Sequence, residues 1–316
     1  MSRSPTTRRP HRLHRLHLAG VAMFSTLSFA GVAAATMPPA PPPAPPPTTP
    51  PAIAAGPLRI LVTNDDGLKG VGLDVLVEAL RALPDVEVTV IAPANNQSGT
   101  GNRTTPGPLL VVDSTTLSGY PGKAVGGFPA DTIVWALDQG GYDGRPDVVV
   151  SGINAGQNIG WVANELSGTV GAARAAAVRG VPAIAASQGL PAEGQDFDFA
   201  TGAAQVVDWI TAHRAELDAG DPDTPIPFTN MNIPSCATGT TVRGVVEVPG
   251  GTVDDGRQVL APADCASTTP APADDVAAFN TGFVAISELP APVPTSPDTA
   301  PPATQPLVGT MPAGQS

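Results

Sequence analysis

The chain has 316 residues and is acidic, with 28 Asp and Glu against 16 Lys and Arg, for a formal net charge of −12. A surface of that sign does not hold a polynucleotide, because phosphate neutralisation by Lys and Arg dominates such affinity. Three of the four histidines, His11, His14 and His17, sit near the N-terminus and leave His213 alone in the body of the chain. Catalytic triads and histidine-based zinc centres therefore lack material.

In chain order, residues 1–17 carry Arg3, Arg8, Arg9, Arg12 and Arg15 with no acid, and an apolar stretch from Leu18 ends in Ala33-Ala34-Ala35. A charged n-region, an apolar h-region and a small-residue exit read as a secretory signal peptide over residues 1–36. The alternative is an uncleaved anchor, since the stretch is nearly long enough to span a bilayer. No Cys lies near the junction, which argues against a lipoprotein, and Arg8-Arg9 leaves Sec and twin-arginine export both open. The expectation is an exported protein, periplasmic or extracellular, with no stable membrane anchor after cleavage. Removing residues 1–36 takes five of the 16 basic residues and none of the 28 acidic ones, leaving 11 against 28, or −17. Residues 37–57 read as a Pro-rich linker and residues 289–316 as a disordered Pro-, Thr- and Ala-rich tail, neither able to form a packed core. Residues 58–288 suit one domain.

That domain is organised around Leu58 to Gly67. The run Leu58-Arg59-Ile60-Leu61-Val62-Thr63 reads as a buried strand that stops on Asn64, Asp65, Asp66 and Gly67. In a parallel α/β sheet, ligands bind at the carboxyl ends of strands. Two adjacent carboxylates there repel unless a cation lies between them or one stays protonated, and a hard ion with oxygen ligands answers that repulsion. The plain alternative is an Asx-turn with helix capping. Leu73, Leu76, Val77, Leu80 and Leu83 then recur at helical spacing up to Pro84. Val86 to Ala92 reads as a second buried strand, delivering the Gly- and amide-rich loop Asn95-Asn96-Gln97-Ser98-Gly99. Val111-Val112 and Ala124-Val125 predict short edge strands, and Pro129 opens a helix to Leu137.

Asp147 to Ser151 reads as a central strand. Gly152 to Gly160, with Asn154 and Asn158, reads as a loop whose glycines permit close approach to a ligand. Ser167-Gly168-Thr169 precedes a helix over Val170 to Val178, either as a plain N-cap or as an anion site at the positive helix end. Pro182 to Ala186 and Phe228 to Ile233 predict further strands, with a helix over Phe197 to Ile210 between them and His213 on the surface. Residues 235–275 break the alternation with Gly-, Pro- and Thr-rich segments read as an extended arm, and Phe279 to Ile286 closes the domain. The alternation up to the arm predicts an α/β fold with a doubly wound, mostly parallel sheet.

Several chemistries have no motif here. There is no Gly-x-Ser-x-Gly elbow and no Walker loop, and Gly67, Gly70 and Gly72 are in the wrong order for a dinucleotide fingerprint. Cys236 and Arg243 are separated by six residues, one too many for a cysteine-phosphatase loop. What remains is oxygen-ligand metal chemistry, with which a small phosphate ester is compatible because the ion supplies the positive charge.

ILVTNDDG at 60–67, QSG at 97–99, GFPADT at 127–132, VVVSGINAGQNIG at 148–160, SGTVGAA at 167–173 and NMNIP at 230–234 together resemble the SurE family of metal-dependent nucleotidases. The resemblance implies a Rossmann-like core with a β-rich C-terminal arm over 235–275, exchanged between subunits of a homodimer or homotetramer. It implies a divalent ion, Mg²⁺ or Mn²⁺, on Asp65, Asp66, Ser98 and Asn154, with Asp65 and Asp66 as the catalytic pair. Asn64, Gly99, Asn158, Ser167, Gly168 and Thr169 become the expected substrate- or phosphate-binding residues. The implied reaction is hydrolysis of nucleoside 5′- or 3′-monophosphates to nucleoside and phosphate. Three places depart from the pattern and bear on substrate preference. Trp161 stands where an acid is usual, Leu166 where an aromatic is usual, and Asn96-Gln97 where a charged pair is often found.

Rival readings keep the same pocket. A receiver-type phosphoacceptor shares the acidic pair but needs an Asp ending a later central strand and a Lys after another. The strand to Ser151 offers no such Asp, and Lys69 and Lys123 are the only lysines. A catalytically silent, exported nucleotide- or phosphate-binding protein is a second rival, and a broad-specificity acid phosphatase a third. Cys236 and Cys265 are the only cysteines. In an oxidising compartment such a pair in a loop-rich segment reads as a disulfide, with two free thiols as the alternative. Its closure of a loop of about 30 residues is expected to contribute roughly 3–4 kcal/mol in the chain-entropy treatment. Its reduction is expected to loosen the arm and leave a distant metal site active.

Overall fold

The structure is a computed structural model that describes residues 56–220, 228–270 and 272–290. The expected signal peptide, nearly all of the linker and nearly all of the tail lie outside the described residues. The chain builds β1 (Leu58–Thr63), α1 (Val71–Arg81), β2 (Val86–Pro93), β3 (Val111–Thr115), β4 (Pro121–Val125), α2 (Pro129–Asp138) and β5 (Val148–Ala155). It continues with α3 (Trp161–Glu165), α4 (Gly168–Ala177), β6 (Ala183–Gln188), α5 (Phe199–Ala212), α6 (Arg214–Ala219) and β7 (Thr229–Ile233). β8 (Val245–Glu247), α7 (Gly256–Val259), α8 (Asp275–Asn280) and β9 (Val284–Glu288) complete it.

Among the described residues one nine-stranded sheet forms, in the order β3-β4-β2-β1-β5-β6-β7-β9-β8. Neighbours from β4 to β7 run parallel, while β3 on β4 and β9 on β7 are antiparallel. Strand alternation sorts the core into two layers. Leu58, Ile60 and Val62 of β1 face Leu73, Leu76, Val77 and Leu80 of α1 and Val206, Trp209 and Ile210 of α5. Leu61, with Val149 of β5, faces Ile133 of α2 and Val170, Ala173 and Ala176 of α4. Strands buried on both faces are the signature of a parallel sheet covered by helices, which is why β1 reads as a nearly continuous apolar run. No helix of the described residues is long and apolar enough to cross a membrane.

Three expectations need correction. The Gly152 to Asn154 stretch, read as loop, continues β5, because Asn154 and Ala155 pair with Ser187 and Gln188 of β6 after a register shift. Glycine content suggested a loop, but the neighbouring strand supplies ladder partners that local propensity does not see. The closing stretch from Phe279 holds the end of α8 and then β9, with Asp274 accepting from the Ala277 N–H at 2.8 Å as the N-cap of α8. Among the described residues of 235–274, β8 and the short α7 are the regular elements, where several short strands were expected. Val259 and Val276 pack with Ile159, Phe279 and Ala285 in a third apolar cluster. His213 is half-buried rather than a surface residue, its ring stacked on Trp209 at 4.2 Å between centroids.

Candidate active site

The chain leaves β1 toward β2 and β4, then returns to β5 on the other side of β1. The crevice outside the carboxyl ends of β1 and β5 is therefore the topological switch point, the place where doubly wound sheets bind ligands. Asn64-Asp65-Asp66 emerges there from β1, and Asn154 arrives there on β5.

Asp65 is 3% exposed, and its Oδ1 accepts a hydrogen bond from the Thr169 hydroxyl at 2.6 Å. Burial, reinforced by the neighbouring Asp66 charge, pushes its carboxyl up to about 6 against the lowering effect of the Thr169 donors. Asp66 is half-buried; its Oδ1 accepts from the Asn96 amide at 3.0 Å and its Oδ2 from the Ala155 N–H at 3.1 Å. Burial raises the Asp66 carboxyl as well, opposed by those two donors. Among the described residues neither carboxylate has a Lys or Arg ion-pair partner. No group of three His, Cys, Asp or Glu suited to a metal occurs among the described residues.

The other expected residues divide by what their side chains do. Ser167 accepts from the Val170 N–H at 3.0 Å and is the N-cap of α4. The positive end of α4 faces the Asp65 carboxylate itself. A Cβ on Gly168 would lie 2.8 Å from Asp65 Cβ and 3.0 Å from Pro129 Cγ, so only glycine lets the helix end sit that close. Asn64 uses both ends of its amide on Gly67, at 3.1 Å each, and holds the acidic turn in shape. The Gln97 N–H donates to the Asp65 carbonyl at 2.7 Å, and Asn96 Oδ1 accepts from the Ser98 N–H at 2.9 Å. These bonds lay the loop with exposed Ser98 and Gly99 against the acidic turn. Asn154 donates to the Gly156 carbonyl at 2.7 Å, leaving its own carbonyl oxygen as an acceptor. Asn158 points inward, donating to Ser187 Oγ at 2.8 Å, with Thr169 Oγ1 at 3.5 Å.

Sequence reasoning passed over Asn96 as the donor to Asp66, since an amide in a turn-rich loop carries no distinguishing pattern. It also passed over Asn230 and Asn232. Their side chains donate to the Asn158 carbonyl at 2.9 and 3.1 Å, and Asn232 Oδ1 accepts from the Asn158 N–H at 2.7 Å. The available signal was two asparagines alternating within a fully buried strand, a pattern that demands internal partners.

Fold and site together define a doubly wound α/β protein with a pair of adjacent carboxylates at its switch point. The Survival protein SurE family matches residues 60–249, and the chain belongs to that family. The curated 5′-nucleotidase SurE of Methanocella arvoryzae is 40% identical over 190 residues, 58% of this chain and 69% of that protein. The 5′-nucleotidase SurE of Rhizorhabdus wittichii is 34% identical over 246 residues, covering 73% of this chain and 93% of that one. Among solved structures, the SurE protein from Aquifex aeolicus matches with a TM-score of 0.55 and 27% identity, covering 73% of this chain and 92% of that chain.

Proposed function

We propose that the protein is an exported phosphomonoesterase that hydrolyses nucleoside monophosphates, at the 5′ or 3′ position, with a divalent cation held at Asp65 and Asp66. The observation that carries this reading is the uncompensated acidic pair at the switch point of a chain whose relatives are named 5′-nucleotidases. The residues present fit a hard cation. The Asp65 and Asp66 carboxylates, the Asn154 carbonyl oxygen and the exposed Ser98 hydroxyl are all oxygen donors, suited to Mg²⁺ or Mn²⁺. When bound, such an ion supplies Lewis-acid polarisation of the phosphoryl group and a nucleophile at neutral pH.

The chain's own residues do the rest. The Thr169 hydroxyl and the N-terminus of α4 hold Asp65 oriented, and favour its ionised form despite its burial. The Asn96 amide and the Ala155 N–H each take one Asp66 oxygen, so that carboxylate is oriented before substrate arrives. Asp66 is the less buried of the two, and to it this reading assigns the proton from the attacking water. The charged-then-apolar pattern of residues 1–35 supports export, and a homodimer or homotetramer is the proposed assembly.

A phosphate-release assay over nucleoside 5′- and 3′-monophosphates and simple phosphate esters, with Mg²⁺, Mn²⁺ or EDTA, tests the reading. Metal-dependent release from a nucleotide is the expected result. Tight nucleotide binding without release under any metal would replace it with the silent binding protein.

A further inference from the structure

The loop between β5 and α3 carries the Gly156 to Gly160 stretch and begins next to Ala155, whose N–H holds Asp66. The C-terminal segment grips this loop at four points. Gln157 Nε2 donates to the carbonyls of Val259 and Ala261 at 3.1 and 2.9 Å, while its Oε1 accepts from the Leu190 N–H at 2.8 Å. The Gly160 N–H donates to Asp275 Oδ2 at 3.2 Å, and the other Asp275 oxygen accepts from the Gly251 N–H at 2.7 Å. The Trp161 N–H donates to the Val253 carbonyl at 3.1 Å. A Cβ on Gly160 would lie 2.6 Å from that same carbonyl oxygen, so the two backbones meet closely there. Ile159 is fully buried between Val259 and Val276.

The opposite side of the loop is held by β7, through Asn230 and Asn232 on the Asn158 peptide. Cys236, just past the end of β7, is disulfide-bonded to Cys265, just past the Val259–Ala261 contact, with Cα atoms 5.6 Å apart. The bond therefore joins the two elements between which the loop is clamped. Asp275 is 1% exposed and has no ion-pair partner among the described residues; its two oxygens accept from the backbone N–H groups of Gly160 and Gly251. A buried carboxylate so used fixes chain geometry and is not poised for chemistry.

We propose that Asp275 is a positioning residue for the acidic site: with Gln157 it fixes the Gly156–Gly160 loop, and the Cys236–Cys265 bond holds the segment that carries it. Activity at Asp65 and Asp66 then depends on a bond whose sulfurs do not touch the site. The proposal rests on the hydrolase reading above for its kinetic arm only.

The test uses the chain without residues 1–36 and compares Asp275→Ala, Asp275→Asn and the Cys236→Ser/Cys265→Ser double variant with the wild type. Amide hydrogen exchange is followed over 155–161, with 58–63 of β1 as the internal reference, beside phosphate-release kinetics titrated with Mn²⁺. Asp275→Ala is expected to speed exchange over 155–161 while leaving β1 unchanged. It is also expected to lower kcat by about tenfold, the scale of a small misplacement in an oriented site, and to raise the Mn²⁺ needed for half-activity. Asp275→Asn keeps one oxygen acceptor and should fall between Ala and wild type, and the double cysteine variant should shift both readouts in the same direction. Unchanged exchange over 155–161 in Asp275→Ala overturns the proposal, as does acceleration of β1 to the same extent, which would mark general unfolding. If the wild type releases no phosphate, the hydrolase reading fails while the exchange comparison still decides the positioning role.

Discussion

Asp65 and Asp275 are both almost fully buried, and burial is the first cause raising both carboxyls. Asp275 directs both oxygens at backbone N–H groups, of Gly160 and Gly251, and closes a junction between two segments. Asp65 meets the Thr169 hydroxyl on one oxygen and stands beside a second carboxylate at the open end of the sheet. The cost of burial is of the same kind in both places. Each also has an acidic neighbour, Asp66 for Asp65 and Asp274 for Asp275, so what separates them is place: Asp275 has both oxygens on N–H groups at a closed junction, whereas Asp65 lies at the open end of the sheet.

The comparison is broken most directly by neutralising each carboxylate. Asp66→Asn or Asp65→Asn should lower phosphate release by about a hundredfold or more with the circular dichroism spectrum intact, the usual scale for losing one electrostatic contact to a transition state. EDTA should silence the wild type and Mn²⁺ should restore it. Equal losses from Asp66→Asn and Asp275→Asn would erase the distinction between reacting and positioning carboxylates.

Gly168→Ala tests how closely α4 must approach Asp65. The added methyl would meet Asp65 Cβ at 2.8 Å. Overpacking of this kind costs about 1–3 kcal/mol, read from denaturant midpoints, and activity should fall with it. Wild-type activity and stability would show that the helix end is free to move.

A pH series on metal-free protein sharpens the Asp65 half. Its folded pKa, about 6, lies above the unfolded value, so the folded state binds more protons between the two. Stability should therefore rise as pH falls from 7 to 5, by about 1 kcal/mol from Asp65, with Asp66 and Asp275 adding in the same direction. Asp65→Asn should remove most of that gain, and a pH-independent wild type would refute the buried, cation-free pair. The smallest effect belongs to a carboxylate in neither class. Asp198 caps α5 by accepting from the Thr201 N–H and hydroxyl, so Asp198→Ala should cost about 0.5–1 kcal/mol and leave kcat unchanged.

Much of the site was legible in the chain because its signals are local. The β1 run, the acidic turn and the helical spacing of Leu73, Leu76, Val77 and Leu80 each sit within a few residues, and together they place two carboxylates at a strand end. Asn154 was expected on a loop but lies in β5, because its pairing with Ser187 is supplied by a strand that follows later in the sequence. The roles of Asn158, Gln157 and Asp275 were illegible. Their partners are Ser187, Val259 and Gly160, and nothing in the composition of one segment announces a bond to another so far along.

By itself, then, the sequence determined the α/β alternation, the doubly wound class and the position of the acidic pair, since hydrophobic period and turn chemistry act over one or two turns of chain. Tertiary structure alone decided which polar side chains face the crevice. Asn64 and Ser167 are used on neighbouring N–H groups, Asn158 turns inward toward β6, and Asn154 spends its amide N–H on the Gly156 carbonyl. An amide or hydroxyl has the same chemistry in all these places. Its role is set by which donors and acceptors the folded chain brings within hydrogen-bonding reach, and those come from elements that only the sheet order makes neighbours.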